Sequence, residues 1–317
     1  MNDNVLLSIC IPTYNRYSLL VECLEVLFPQ IKDYNVAVYV IDNASTDETY
    51  LIKDQFPSIV YIRNERNIGG DFNILKSYQI AAKKSEYICV LGDSYRFKGN
   101  FGRMLDILSK FEINLLVISR MGQSLNLDSC YYDNIDRVLS DLGGTMDLIG
   151  TIVIKKEAVA KSNYRYYMWS NFIHIGMAFN YLATLDNFKC YYLKELTLFH
   201  TRIDKTSTSW YKDTLNIFSK IWMLSILSLP ANISLESKLE CIKKHDLYTG
   251  TFSKRRLLYL RMIDGISLKI VNCYKAYLPF VTDTSLVYMY IICLLPKWIA
   301  RFFLSLLNYI VKKYSDT

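Results

Sequence analysis

Paired cysteines are the first thing this sequence lacks: eight are scattered through 317 residues and none stands in a C-x-x-C pair. Neither a zinc-type spacing nor a disulfide framework can be drawn from them, so reduced thiols in a cytosolic protein are expected. Cys10, Cys23 and Cys89 sit in apolar runs, where free cysteine behaves as a small hydrophobe. Also missing are G-x-G-x-x-G after the first strand signal and G-x-x-x-x-G-K-[ST] anywhere. Those absences argue against a dinucleotide fold and against a triphosphate cradle. The apolar run at 286–295 is ten residues long, and a bilayer-spanning helix needs roughly 20. No basic segment precedes the first strand, so no signal peptide is expected. With 21% charged and 51% hydrophobic residues, disordered and fibrous classes are excluded.

The charge that is present is uneven. From residue 238 onward thirteen basic residues face five acidic ones, a balance of +8 in a chain of net +7, which leaves the first 237 residues at −1. A neutral body with a basic tail points to nucleic acid or to an anionic membrane surface.

Over 5–119 strand and helix signals alternate. Strand-like runs lie at 6–11, 36–41, 59–62, 87–91 and 115–118. Between the first two, Leu20, Cys23, Leu24 and Leu27 share one helical face, and after the third so do Ile74, Tyr78, Ala81 and Ala82. Ser45-Thr46-Asp47-Glu48 matches a capping box. This alternation implies right-handed crossovers and an α/β fold with a mostly parallel sheet flanked by helices.

A polar cluster closes each of the first four strands: Pro12-Thr13-Tyr14-Asn15-Arg16, Asp42-Asn43, the stretch from Arg63 to Gly70, and Gly92-Asp93. Ligands of open α/β sheets bind at the carboxyl ends of strands, so the four clusters can converge on one ligand. Asp93, at the end of the most buried-looking strand, is the first residue to test. Asp42 offers acceptors to a base edge, and Gly69-Gly70 allows the chain to pass close to a ribose or phosphate.

Ile-Pro-Thr-Tyr-Asn-Arg, Ile-Asp-Asn-Ala-Ser-Thr-Asp, Asn-Ile-Gly-Gly and Leu-Gly-Asp together resemble the inverting family 2 glycosyltransferases of GT-A (Rossmann-like) fold. The nearest likeness is to bacterial enzymes that build capsule or O-antigen repeat units, and it covers about residues 5–205. The resemblance implies that Thr13, Tyr14, Asn15, Asp42 and Asn67 line a nucleoside pocket. It also implies that Asp93 is the first carboxylate of the DxD signature. Pro12, Arg16, Asn43, Gly70, Ser94, Tyr95 and Arg202 complete the expected donor site. Relatives read Leu-Gly-Asp-Asp-Asp, where the last carboxylate holds Mg²⁺ or Mn²⁺; here Asp93-Ser94-Tyr95 stands instead. A tyrosine hydroxyl is a poor ligand for a hard dication. Asp93 and His200 remain the metal candidates, and Arg96, Lys98, Arg202 or Lys205 are alternative sources of positive charge for the departing diphosphate.

The family's acidic base, expected at a helix start well beyond the DxD, is absent from the helix-like stretch 169–177. His174 is the base nearby, with Asp147 and Asp141 in reserve, and an imidazole pKa near ~6.5 suits the task. Residues 120–140 read as a polar link, 149–154 and 190–199 as strands, and 200–210 as a lid. Past Asn216 the chain is helical, with Lys297, Arg301, Ser305, Asn308 and Lys312 on one stripe among aromatics and aliphatics. That pattern suits a helix lying in a membrane interface or an amphipathic helix docked on its own domain; the basic excess of the tail favours the membrane.

The expected organisation is therefore a GT-A-like domain over 1–215, with a nucleotide-sugar half (1–119) and an acceptor half (120–215). A basic helical region over 216–317 follows. The expected activity is inverting transfer from a nucleotide sugar to a lipid-diphosphate-linked oligosaccharide, at the cytoplasmic face of the plasma membrane and without nucleic acid. The rival expectation is a nucleotide-sugar-binding subunit without catalysis.

Overall fold

The structure, a computed structural model, describes residues 5–123, 125–200 and 209–315, and within these every side chain except those of 209, 210 and 308–315. Among the described residues nine strands form one sheet: β1 (Val5–Thr13), β2 (Val36–Asp42), β3 (Val60–Arg63), β4 (Ser85–Val90), β5 (Tyr95–Gly99), β6 (Leu115–Arg120), β7 (Cys130–Tyr132), β8 (Ile152–Lys155) and β9 (Cys190–His200). Their order is β3-β2-β1-β4-β8-β6-β9-β5, with β7 also on β9. β3, β2, β1 and β4 are parallel, where strand and helix alternate in the sequence. β8 joins antiparallel between β4 and β6, and β5 joins antiparallel at the far edge.

Register brings the polar clusters together. Thr13 lies opposite Asp42, and Asp42 opposite Arg63. Three more amides extend the ladder past the strand ends: Asn43 N to Thr13 O at 2.9 Å, Asn64 N to Asp42 O at 2.8 Å, and Leu91 N to Cys10 O at 2.8 Å. Each cluster therefore emerges from the same rim.

The core lies on both faces of the sheet, as the two-residue period of a strand requires. Ile9 and Ile11 face one cluster, with Leu24 and Met104, while Cys10 between them faces the other. Helix α1 (Tyr17–Ile31) buries Leu20, Cys23, Leu24 and Leu27, the face its spacing predicts. Helix α2 (Gly70–Ala81) buries Leu75, Tyr78 and Ala81 and leaves Ile74 and Ala82 half-buried. Burying each such Leu or Ile contributes about 1.5–3 kcal/mol.

Three local expectations differ from what is found. No capping box forms at 45–48. Asp47 caps a short 3₁₀ turn by accepting from Thr49 N, and Ser45 accepts instead from Asn15 N across the rim. The link at 120–140 contains β7 and helix α3 (Ile135–Leu142), whose apolar face is buried. The helix expected near 169 begins later, as α4 (Ile173–Leu182). Trp169 and Asn171 before it have left-handed backbones, with φ of 71° and 67°, which an α-helix cannot accommodate.

The C-terminal helices are not separated from the sheet by a gap in the core. One apolar cluster runs from Tyr39 and Ile88 through Phe172 to Trp222, Leu257 and Ala300. Helix α5 (Leu235–Thr249) starts at Ser234, which accepts from Ser237 N, and ends at Gly250 in the left-handed conformation. Helix α6 (Lys254–Met262) follows. Helices α7 (Leu286–Leu294) and α8 (Lys297–Ser315) are bent by 118° about Pro296. Among the described residues no single helix is long and apolar enough to cross a membrane.

Candidate functional site

A hollow of about 290 Å³ opens at the shared rim. Pro12, Thr13, Tyr14 and Arg16 line it after β1, Asn43 after β2, and Gly70, Asn73 and Ile74 from α2. Gly92, Asp93, Ser94 and Tyr95 close its floor, with Ile149 and His200 from the second half of the chain. Nine expected donor residues thus share one cavity. A larger cavity, about 1000 Å³, is lined by Asn114, Lys155 and Lys189 beside the opposite strand ends and holds none of these motifs.

Asp93 is fixed from two sides. Thr13 Oγ1 donates to its Oδ2 at 2.9 Å, and Arg16 Nη1 lies 3.0 Å from its Oδ1. The backbone around it is pinned by Arg96, which is buried behind the turn and not in the hollow. Its guanidinium donates to the carbonyls of Asp93, Tyr95 and Leu19 at 2.7, 2.8 and 2.7 Å. Arg96 is thus a positioning residue, because its Nη donors tie the turn to α1. Lys98 is exposed farther along β5 and does not line the hollow. Gly92 is required by Tyr95: a Cβ there would stand 2.7 Å from the tyrosine ring. That ring meets His200 edge-on at 4.9 Å.

This donor set fits a divalent cation poorly. Both Asp93 oxygens already have partners, one of them a guanidinium. The position of a second carboxylate holds Tyr95, whose hydroxyl is kept protonated by burial. Among the described residues no three His, Cys, Asp or Glu side chains converge.

Three expected donor residues do not line the hollow. Asp42 is fully buried and spends Oδ1 on Ser45 N and Oδ2 on the Tyr61 hydroxyl, at 2.8 and 2.6 Å, so it offers nothing to a base edge. Asn15, with φ 52°, accepts from Thr46 N. Asn67 belongs to an asparagine brace. Asn43 Nδ2 donates to Asn67 Oδ1, and Asn64 Nδ2 donates to both Asn43 Oδ1 and Asn73 Oδ1, each at 2.9 Å. Asn73 then ties to Ile41 O at 2.9 Å. The brace joins the ends of β2 and β3 to the start of α2. Arg202 and Lys205, with most of the expected lid, lie outside the described residues.

On the acceptor side His174 is a core residue. It is fully buried, its Nε2 lies 2.8 Å from Met146 O, and burial holds its pKa down at about 4. It cannot meet an acceptor hydroxyl. Asp147 is buried as well; burial would raise its pKa, but Arg120 and His245 outweigh that and hold it at about 2. Asp141 stands 3.9 Å from Lys244, away from the hollow.

Sequence reasoning missed Asp71. It neighbours Gly70 at the start of α2, is 8% exposed, and accepts from Asn171 N at 3.3 Å. Burial raises its pKa, against backbone N–H groups of residues 169–171 that lower it. Trp169, 71% exposed, stands over the same corner, edge-on to Phe72 at 5.2 Å and 3.7 Å from where a Cβ on Gly69 would sit. Only the acidic side chain after Gly69-Gly70 signalled this in the sequence.

The chain is similar to several known proteins. The family model described as "Glycosyl transferase family 2" matches residues 8–137. Abequosyltransferase RfbV of Salmonella typhimurium is 28% identical over 181 residues, covering 48% of this chain and 54% of that protein. The chain thus spans about half the length of that curated relative. S. aureus TarS 1–349 in complex with UDP superposes with a TM-score of 0.53 at 15% identity, over 79% of this chain and 74% of that one. The mannosyltransferase PcManGT from Pyrobaculum calidifontis, in complex with GDP-Man and Mn2+, gives 0.55 at 13% identity, over 92% and 86%. At these identities the two structures speak for fold alone. Motifs, rim geometry and matched model meet in one statement: the chain has the GT-A fold, and its residues 8–137 match the family 2 glycosyltransferase model.

Proposed function

We propose that this protein moves one sugar, with inversion, from a nucleotide sugar to a lipid-diphosphate-linked oligosaccharide during assembly of a capsule or O-antigen repeat unit. The observation that carries this reading is the hollow in which four strand ends surround Asp93 and Arg16. An O-antigen-type relative by name and a UDP-bound structural neighbour support the substrate classes.

In this reading the acceptor oxygen attacks the anomeric carbon in a single displacement. The bond from that carbon to the donor diphosphate breaks, and its electron pair leaves on the nucleoside diphosphate. Arg16, about a third exposed beside Asp93, neutralises the developing charge. The acceptor proton goes to Asp71, which sits on α2 between Gly70 and Asn73 of the hollow's lining and whose carboxyl is pushed up by burial. The exposed apolar side chains of α7 and α8, in a basic tail, hold the enzyme at the inner membrane surface where the acceptor lipid resides.

The test is a panel of nucleotide sugars screened by thermal shift, with and without Mn²⁺, followed by transfer to a polyprenyl-diphosphate-linked acceptor. One donor should raise Tm by mass action without needing the metal, and its sugar should appear on the acceptor. Asp93→Ala should abolish turnover in a folded protein. Donor binding with neither transfer nor donor hydrolysis would replace the enzyme reading with that of a nucleotide-sugar-binding subunit.

A further inference from the structure

A second hollow, of about 160 Å³, shares Tyr95 and His200 with the first. Its remaining wall includes Arg120 from the end of β6, Arg256 from α6, Tyr211 and Thr251. The two arginines differ. Arg120 is paired with buried Asp147, whose other oxygen lies 3.3 Å from His245 Nε2, so its charge is partly compensated. Arg256 makes no ion pair among the described residues; its guanidinium carbon lies 5.7 Å from the centre of the Tyr211 ring. A guanidinium stays charged at any physiological pH and presents forked donors that match phosphate oxygens. A half-enclosed hollow with one arginine that is uncompensated among the described residues, and a second with donors to spare, is chemically suited to an anion.

Its position narrows the anion. The donor hollow lies on one side, reached across Tyr95 and His200. On the other, α6 packs against α7 and α8, and Arg261 Nε, on the same helix as Arg256, donates to Leu295 O at the bend between them at 2.8 Å. That bend carries exposed Leu294 and Trp298. One helix therefore borders an anion site on one face and an unpartnered apolar edge on another.

We propose that the second hollow binds the diphosphate of the lipid-linked acceptor, with Arg256 as its principal cation, the lipid running towards α7 and α8 and the sugar towards His200. This rests on the acceptor class proposed above. A diphosphate could also belong to the donor nucleotide, and the two sources are separable by experiment. The full chain is titrated calorimetrically with farnesyl diphosphate and, separately, with UDP and GDP, as wild type, Arg256→Ala and Arg256→Lys. Loss of a charge-assisted contact should weaken farnesyl diphosphate about tenfold to a hundredfold in Arg256→Ala. Lysine should restore part of it, and nucleoside diphosphate binding should not change. An unchanged Kd for farnesyl diphosphate in Arg256→Ala overturns the assignment. So does failure of the wild type to bind it, or a loss confined to UDP and GDP. If the selective loss is found but the wild type transfers no sugar, the transferase reading fails and the diphosphate site stands. Transfer that is indifferent to Arg256→Ala has the opposite meaning.

Discussion

At the scale of single residues, His174 is expected from the sequence to be the base and is found in the core, whereas Asp71, to which the sequence assigns no role, takes the base role in the proposed reaction. An imidazole fully buried against Met146 O must stay neutral, so the unfolded chain takes up its proton below about 6.5 while the folded one resists to about 4. Protons bound preferentially by the unfolded state make stability fall as pH falls, here through the window from about 6.5 to about 4. The whole loss amounts to about 3 kcal/mol. His174→Gln should remove that window from chemical-denaturation curves taken at several pH values, and should leave sugar transfer within a few-fold. Asp71→Asn should lower kcat by about a hundredfold or more, as loss of a general base does, with KM for the donor little changed. The reverse pattern of activities would return the base role to His174. Neither assignment was legible beforehand, for the same reason. Helical spacing shows which residues share a face but not what packs over it, and Asp71 is defined by a contact with Asn171, 100 positions away.

At the scale of elements, the sequence pattern predicts seven of the nine described strands, all but β5 and β7, and most of the buried faces of α1 and α2, because these follow from short-range geometry. The rim of the donor hollow was legible too: a strand's carboxyl end is fixed once the strand is, and parallel neighbours share it. What spacing could not reveal is how the loops hold one another. Ser45 accepts from Asn15 instead of capping a helix, and Asp42 is consumed by Ser45 and Tyr61. The asparagine brace is the largest such case. Asn64 is 4% exposed, donates twice within the brace, and accepts from Lys76 Nζ at 2.7 Å. Asn64→Ala leaves the Asn73 carbonyl oxygen without this donor and should cost about 1–3 kcal/mol. Because the brace sets the start of α2, the same variant should raise KM for the donor severalfold while changing kcat less. Urea unfolding and steady-state kinetics measure the two effects. An unchanged KM in a destabilised protein would mean that α2 is held in place by its packing alone.

At the scale of the whole molecule, charge and apolar exposure divide the chain in the same place. The body that holds the rim hollow carries almost no net charge, whereas the tail from residue 238 carries +8. Within that tail Val287, Ile291 and Leu294 on α7 and Trp298, Phe302 and Leu306 on α8 are all exposed. Each triplet recurs at helical spacing, while Ala300 on the other side of α8 is buried. Arg301 is exposed among them, and Asn308 and Lys312 of the expected stripe lie outside the residues whose side chains are described. Core packing does not account for side chains that point away from the core, and a basic, aromatic face is what an anionic interface binds. Cosedimentation with phosphatidylglycerol-containing vesicles should therefore exceed that with phosphatidylcholine vesicles and weaken as salt rises. Replacing Trp298 and Phe302 by Glu should reduce binding by more than tenfold, since each aromatic contributes about 1.5–3 kcal/mol when buried. The melting temperature should hold, because both side chains are already largely exposed, at 72% and 61%. Equal binding to the two vesicle types would remove the electrostatic part of the argument, and undiminished binding by the double variant would remove this face from it. Undiminished binding by the double variant would also move the membrane contact away from α6, the helix that presents Arg256 and is packed against this edge.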